Sequence, residues 1–379
     1  MRRGQGKTRL IVVAALLALT LFFSFTVVAA EDFPRLIHLS WQNDPASTMT
    51  IMWRSEPEAE GIVEYGEDFA QSVQSEPSRY RFGRTQVCWQ IAEITDLEPN
   101  STYRYRLKTS EPWESEEYSF KTAPAKGEET SFKLVIFSDV QGGYEAFQQA
   151  APKIKAENAD ILLYLGDFTR SSSQEEYDLW LESGATIFTD VPLMSVRGNV
   201  DGPNYLDQFA FPGNERWFSL DYGNVHFLFL STMLEDEVIE QRPWLLNDLK
   251  ENDNPWVIAM AHKPAFGSGS QNGPEQYIVD NWVDLFEEYG VALYLNGHEH
   301  SYERTFPLKG GEIDEEGITY ITTSSTGDEF YPAVRTWLTA QAEGEPCYMV
   351  FTVEGSVIHG IAKGTLDDSI LDEFELKLR

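Results

Sequence analysis

Between residue 33 and about residue 122, apolar and polar positions alternate in short runs. Thr50-Ile-Met-Trp53, Gly61-Ile-Val-Glu-Tyr65, Val87-Cys-Trp-Gln-Ile91 and Thr102-Tyr-Arg-Tyr-Arg-Leu107 put β-branched and aromatic residues at a period of two. That is the spacing at which a strand buries one face. Turn residues such as Asn43-Asp44-Pro45 and Glu98-Pro-Asn-Ser101 separate the runs, and no helical period appears. The segment is expected to fold as an antiparallel β-sandwich of roughly a hundred residues. Ala123-Pro-Ala-Lys-Gly-Glu-Glu129 reads as a linker, and a domain boundary is expected there.

Beyond the linker the pattern changes to continuous apolar runs separated by amphipathic stretches, as in an α/β layered domain. The expected strands are Lys133–Phe137, Ile161–Leu165, Pro192–Val196, Val225–Leu230, Trp256–Met260, Val291–Leu295 and Ile318–Ile321. Tyr144–Glu157 and Gln276–Tyr289 have the spacing of crossover helices. There is no internal repeat.

The N-terminus carries Arg2, Arg3, Lys7 and Arg9 and then an apolar run from Leu10 to Ala30. Charge followed by such a run is an export signal, cleaved after the small residues Val28 and Ala30 or kept as a membrane anchor. Either way the remaining chain is expected outside the cytoplasm, whether secreted, periplasmic or held at the cell surface, because the positive residues stay inside. The expected organisation is a signal or anchor over 1–30, a sandwich over 31–123 and a catalytic domain over 131–379. With 61 acidic against 29 basic residues the formal charge is -32, which repels nucleic-acid phosphates and excludes nucleic acid as a partner. Membrane contact is expected only through the N-terminal segment. Cys88 and Cys347 are the only cysteines, so a thiolate zinc site is excluded while one disulfide stays open. Asn100-Ser-Thr102 matches a glycosylation acceptor and equally a plain turn.

Five of the expected strands run into metal-ligand chemistry: Ser138-Asp139-Val-Gln141, Gly166-Asp167-Phe-Thr-Arg170, Gly198-Asn199-Val-Asp201, Ala261-His262 and Gly297-His298-Glu-His300. Each alone is a commonplace turn. Five in succession, all at strand carboxyl ends where α/β folds open their ligand crevices, point to a metal site. Carboxylate, amide and imidazole together suit Fe, Mn or Zn rather than Ca. A carboxylate shared by two such cations lets them clamp a phosphoryl group and activate a bound water. His38, His226 and His359 fall inside β-type runs and are read as structural.

These blocks resemble the calcineurin-like metallophosphoesterases, and the purple acid phosphatases in particular. Pro34-Arg-Leu-Ile-His-Leu-Ser40 and Leu97-Glu-Pro-Asn-Ser-Thr-Tyr103 resemble the fibronectin type III-like domain that precedes the catalytic domain in that family. The resemblance implies Asp139 and His300 on a first metal, Asp167 as a bridge, and Asn199, His262 and His298 on a second. It implies hydrolysis of a small phosphoester, a monoester first and a diester second, by metal-bound hydroxide. The alternative is a non-catalytic extracellular binding protein that kept the fold.

Three positions depart from the family pattern. Arg170 stands where the family places an iron-ligating tyrosine, and is either a fork of donors toward phosphate or a solvated cation or salt bridge to a neighbouring acid. Gln141 stands where related proteins have glycine or a ligating histidine, and offers an amide oxygen as an additional ligand. Val200 replaces the histidine that serves the leaving group, leaving Asp201 as the remaining acid of that block.

Overall fold

The computed structural model describes residues 35–55, 60–83, 85–109, 114–269 and 271–378. The segment expected as signal or anchor lies outside them. The described residues form one compact unit. Among the described residues no helix is long and apolar enough to cross a membrane.

The N-terminal part is all strand: β1 (Arg35–Ser40), β2 (Met49–Arg54), β3 (Gly61–Tyr65), β4 (Gln71–Gln74), β5 (Glu76–Phe82), β6 (Thr85–Ile94), β7 (Thr102–Thr109) and β8 (Tyr118–Lys121). They form two four-stranded antiparallel sheets in the orders β1-β2-β6-β5 and β4-β3-β7-β8. Trp53, Val63, Trp89, Tyr105 and Leu107 belong to their buried core, as the alternation requires.

The second part begins with β9 (Phe132–Phe137), α1 (Tyr144–Ala156), β10 (Ile161–Tyr164), α2 (Gln174–Ser183), α3 (Ala185–Phe188) and β11 (Leu193–Ser195). It continues with β12 (Phe218–Tyr222), β13 (Val225–Phe229), α4 (Glu235–Glu251), β14 (Trp256–Met260), β15 (Leu293–Asn296), β16 (Tyr302–Thr305), β17 (Leu308–Lys309) and β18 (Glu312–Ile313). It ends with β19 (Thr319–Thr322), β20 (Thr339–Glu343), β21 (Cys347–Glu354), β22 (Val357–Gly364) and β23 (Ile370–Lys377). Helical turns at Gln276–Ile278 and Asp284–Glu288, joined by a π-helical Val279–Val283, precede β15. α1 buries Phe147, Ala150, Ala151 and Ile154, the stripe of an amphipathic helix.

All seven expected strands are present, with no end shifted by more than two residues. They belong to two sheets. One has the order β11-β10-β9-β21-β22-β23, the other β12-β13-β14-β15-β19-β16-β20. Within them β9, β10 and β11 are mutually parallel, as are β13, β14, β15 and β19. Strands such as Trp256-Val-Ile-Ala-Met260 are buried at every position, which is why they lack alternation.

The sandwich grips α2. Arg54 pairs with Asp178, Arg35 reaches Asp178 at 3.1 Å and Glu182 at 3.2 Å, and the Tyr80 hydroxyl donates to Gln174 Oε1. Because α2 follows the Asp167–Arg170 loop directly, this contact fixes the base of that loop. Cys88 and Cys347 are both buried and free, one in each part. His38 is buried beside Trp89 and Phe209, His226 lies between Asp221 and Asp248, and His359 sits on β22.

Candidate metal centre

The five blocks converge where the parallel strands of the two sheets end. Asp139, Asp167 and Asn199 follow β9, β10 and β11 of one sheet, and His262 and His298 follow β14 and β15 of the other. Asp139 (φ 53°), Asp167 (φ 60°), His298 (φ 75°) and His300 (φ 38°) all occupy the left-handed region. That conformation is costly for residues with a Cβ and clusters at functional turns. Glycines make room for it. A Cβ on Gly198 would lie 2.1 Å from Asp167 Oδ1, and one on Gly297 would lie 2.4 Å from Asp139 Oδ2.

Donor atoms gather in two groups, Asp139 with Asp167 and His300, and Asp167 with His262 and His298, each group lying within 4.8 Å. Asp167 belongs to both. His262 Nε2 is 2.8 Å from Asn199 Oδ1, 3.2 Å from His298 Nδ1 and 3.4 Å from Asp167 Oδ2. Its other nitrogen, Nδ1, donates to the Leu165 carbonyl at 2.8 Å. That bond leaves the Nε2 lone pair for a ligand, the usual arrangement behind a metal-binding imidazole. Gln141 Nε2 lies 2.9 Å from His300 Nε2, so a half-turn of the amide presents its oxygen at the same place.

The electrostatics call for positive charge. Burial pulls His262 down, but Asp167 and Asp139 outweigh it and raise the imidazole to about 9. Burial and the neighbouring His262 push His298 down to about 3. Burial raises the Asp139 carboxyl, yet His300 more than offsets this and leaves it lowered. His300 Nδ1 is buried without a hydrogen-bond partner. Oxygen and nitrogen donors converging on one buried spot, with a proton drawn into it, fit a pair of cations.

The two candidate catalytic side chains lie differently from one another. Arg170 is exposed at the rim, its Nη2 3.1 Å from Glu329 and its Nε donating to the Gln141 carbonyl at 3.2 Å. Asp201 is fully buried. Its Oδ2 accepts the N–H groups of Asp167 (3.0 Å) and Gly198 (2.7 Å), and its Oδ1 those of Phe168 (2.7 Å) and Thr169 (3.2 Å). Burial and the Asp167 charge push its carboxyl up against these four donors.

Sequence reasoning missed three supporting groups. Glu176 closes a capping box with Ser173 at the start of α2 and accepts the N–H groups of Arg170 (3.2 Å), Ser171 (2.9 Å) and Ser173 (3.4 Å). Buried Glu299, between the two histidines, accepts Asn272 N and Gly273 N, each at 2.6 Å. Tyr331 stacks flat on His300, with centroids 4.7 Å apart and planes 5° from parallel. The Ser-Xaa-Xaa-Glu spacing of Ser173 and Glu176 was the one available signal.

Two family models match the chain: "Calcineurin-like phosphoesterase" over residues 132–302 and "Purple acid Phosphatase, N-terminal domain" over residues 34–122. The mouse protein "Acid phosphatase type 7" is 28% identical over 369 residues, 81% of this chain and 82% of that protein. Purple acid phosphatase 23 of Arabidopsis thaliana is 24% identical over 331 residues, 75% of this chain and 72% of its own. The yellow lupin purple acid phosphatase PPD1 superposes with a TM-score of 0.78 at 21% identity, covering 91% of this chain and 74% of the lupin chain.

Proposed function

The chain belongs to the calcineurin-like metallophosphoesterases that carry the purple acid phosphatase N-terminal domain, and from that premise we propose that it hydrolyses phosphomonoesters at a dinuclear centre built from the residues above. The observation that carries this reading is the pair of donor groups sharing Asp167. Asp139 and His300, with the Gln141 amide, would hold one cation, and Asn199, His262 and His298 the other. Asp167 would bridge. When bound, two cations polarise the phosphoryl oxygens and lower the pKa of a coordinated water to near neutrality.

The protein's own groups supply position. Asp201 and Glu176 between them accept six of the seven N–H groups from Asp167 to Ser173, and Thr169 Oγ1 accepts the seventh, that of Ser172, at 3.1 Å. The bridging carboxylate is therefore held rigidly before substrate arrives, which is where such sites gain their rate. Asp201 acts as a positioning residue. Arg170, tethered by Glu329, stands at the rim to meet a phosphoryl oxygen.

We place the boundary between the fibronectin type III-like sandwich and the catalytic domain in the linker at 123–129, supported by the interval between the two family matches. The N-terminal charges and apolar run support an extracytoplasmic location. The cations are drawn from Fe, Mn and Zn on the chemistry of the donors.

The test is elemental analysis and hydrolysis of aryl phosphate and bis-aryl phosphate by protein loaded with Mn, Fe or Zn. The monoester is expected to be the better substrate. Asp167→Ala is expected to lose most bound metal and nearly all activity, and Asn199→Ala mainly the second metal. Full metal occupancy in Asp167→Ala overturns the assignment.

A further inference from the structure

Asp139 and His300, the residues assigned to the first cation, come from different sheets. Asp139 follows β9 of one and His300 follows β15 of the other, and both occupy the left-handed region. Among the described residues no ladder pairs β9 with β15. The spacing of the two ligands therefore depends on what ties the sheets together at this point.

The chain leaving β19 does so. Thr322-Thr-Ser-Ser-Thr-Gly327 is a run of hydroxyl residues ending in glycine, and Thr322 to Thr326 are all buried. A buried hydroxyl is costly unless it is hydrogen-bonded, so such a run is stable only where its surroundings offer partners. Thr323 N donates to the Asn296 carbonyl of β15 at 2.8 Å, and Thr326 N donates to the Ser138 carbonyl beyond β9 at 2.9 Å. Cys347 N of β21 donates to the Ser325 carbonyl at 3.1 Å. Gly327 then lies so close to the turn after Asp139 that a Cβ on it would stand 2.6 Å from the Val140 carbonyl oxygen. The segment is a strap from one sheet to the other.

Its two serines end on the ligand residues themselves. Ser324 Oγ donates to the His300 carbonyl at 3.0 Å, and Ser325 Oγ donates to the Asp139 carbonyl at 2.7 Å. The flanking hydroxyls go elsewhere, Thr323 Oγ1 to the Ser324 carbonyl and Thr326 Oγ1 to the Cys347 carbonyl. Among the described residues no hydroxyl of the strap bonds Asn199, His262 or His298. A hydrogen bond to the carbonyl of a residue in a strained turn fixes that turn, and with it the direction of the side chain on the same Cα. The His300 carbonyl also accepts Tyr331 N at 2.9 Å, so Ser325 has the larger share.

We propose that Ser324 and Ser325 are positioning residues that set the spacing of Asp139 and His300 and thereby the affinity of the first cation, while leaving the second almost untouched. The proposal rests on the dinuclear reading above. It adds to it two residues that touch neither cation nor substrate.

The experiment places Ser324→Ala and Ser325→Ala, each in the full chain, in two backgrounds: Asn199→Ala, where the remaining tight site is the first, and His300→Ala, where it is the second. Mn(II) is titrated into each protein and the electron paramagnetic resonance signal of the free ion reads the affinity. First-site affinity is expected to fall about tenfold in Ser325→Ala and less in Ser324→Ala, with second-site affinity changed by no more than about twofold. Thr326→Val is the control, because it deletes a buried hydroxyl of the same strap that reaches Cys347 and no ligand; chemical unfolding should show it destabilised while both affinities hold. Each serine variant deletes one oxygen, and should one not fold, the other carries the test. Equal losses at the two sites, a first-site loss matched by Thr326→Val, or no loss at either site overturns the positioning role. A parent protein that binds fewer than two Mn(II) ions overturns the dinuclear reading and the role together. A selective first-site loss in a protein whose parent binds two ions but hydrolyses no aryl phosphate overturns the hydrolytic reading and leaves the strap standing.

Discussion

The carboxylate of Asp201 accepts the backbone N–H of Asp167 at 3.0 Å, tying the third metal-ligand block to the second. Through Gly198, Phe168 and Thr169 the same carboxylate holds both turns, and Phe168 anchors them below by packing 4.3 Å from Tyr164 and 4.6 Å from Trp180. Asp201→Ala leaves four N–H groups without their partner. At ~1–3 kcal/mol for each buried donor that finds no water, a loss of at least about 3 kcal/mol in stability is expected. Metal affinity should fall ~10–100-fold, as for other groups that orient ligands. Chemical unfolding and metal titration check this. Unchanged metal affinity in a destabilised protein would confine Asp201 to the fold.

Arg170 and Tyr331 decide colour. A tyrosinate bound to ferric iron gives a purple charge-transfer band, and Arg170 cannot supply one. Tyr331 is the tyrosine stacked on His300, but its ring lies parallel to the imidazole, with 5° between the planes. A cation would be held through a ring nitrogen of His300, and the phenolic oxygen, stacked over that ring at about van der Waals contact, ~3.5 Å, would be too far to join it. A bond of ~2 Å is out of reach. Iron-loaded protein is expected to be colourless or faintly yellow, and Arg170→Tyr to gain the band. A visible tyrosinate band in the unsubstituted iron form would contradict the geometry.

The residues that sequence reading brought together are those whose chemistry and local strain leave a mark in the chain. Gly166, Gly198 and Gly297 precede ligand positions because no Cβ fits there, so Gly-Asp, Gly-Asn and Gly-His after apolar runs were legible. Glu299 was not, and Glu176 only as the Ser-Xaa-Xaa-Glu spacing of a helix start, because a carboxylate that binds backbone N–H groups looks like any solvated charge until the loops are folded. Tyr331 reaches His300 only through the path of the β19–β20 connection, and no periodicity announces that. Apolar runs also do not say which sheet they join. Hydrogen-bond pairing puts the strands carrying Asp139 and His262 in two different sheets.

His226 provides a pH-dependent contribution remote from the metal ligands. Burial alone would lower it, but Asp221 at 2.7 Å and Asp248 at 2.8 Å raise it to about 9. Lys126 and Asn254 also meet Asp221, and Ser219 meets Asp248. A folded-state pKa above the unfolded value gives stability that is full below the unfolded pKa of ~6.5 and is lost as pH rises through about 9. The contribution is on the order of 3 kcal/mol. The difference in unfolding free energy between the parent and His226→Gln should therefore be largest near pH 6.5 and shrink toward pH 10. A difference constant across that range would mean that the histidine is not charged in the fold.

Val200 tests how the leaving group is protonated. Its backbone N–H donates to Asp167 Oδ1 at 3.1 Å, which puts the residue against the proposed bridge, yet its side chain has no acidic proton to give. A well-placed acid contributes ~10²–10⁴-fold when the departing oxygen is strongly basic and little when it is already stable as an anion. The protein is therefore expected to favour aryl over alkyl phosphates. Val200→His should narrow that gap. Asp201, whose two oxygens are occupied by four backbone N–H groups, is not free to orient the new imidazole. Narrowing is thus expected at or below the lower end of that range, at most about 100-fold. The quantity to follow is the kcat/KM ratio of phenyl to 2-phenylethyl phosphate, which keeps an aromatic ring in both esters, with metal content measured in each protein. An unchanged ratio in folded, fully loaded Val200→His would show that position 200 does not face the leaving oxygen, and that its proton comes from water.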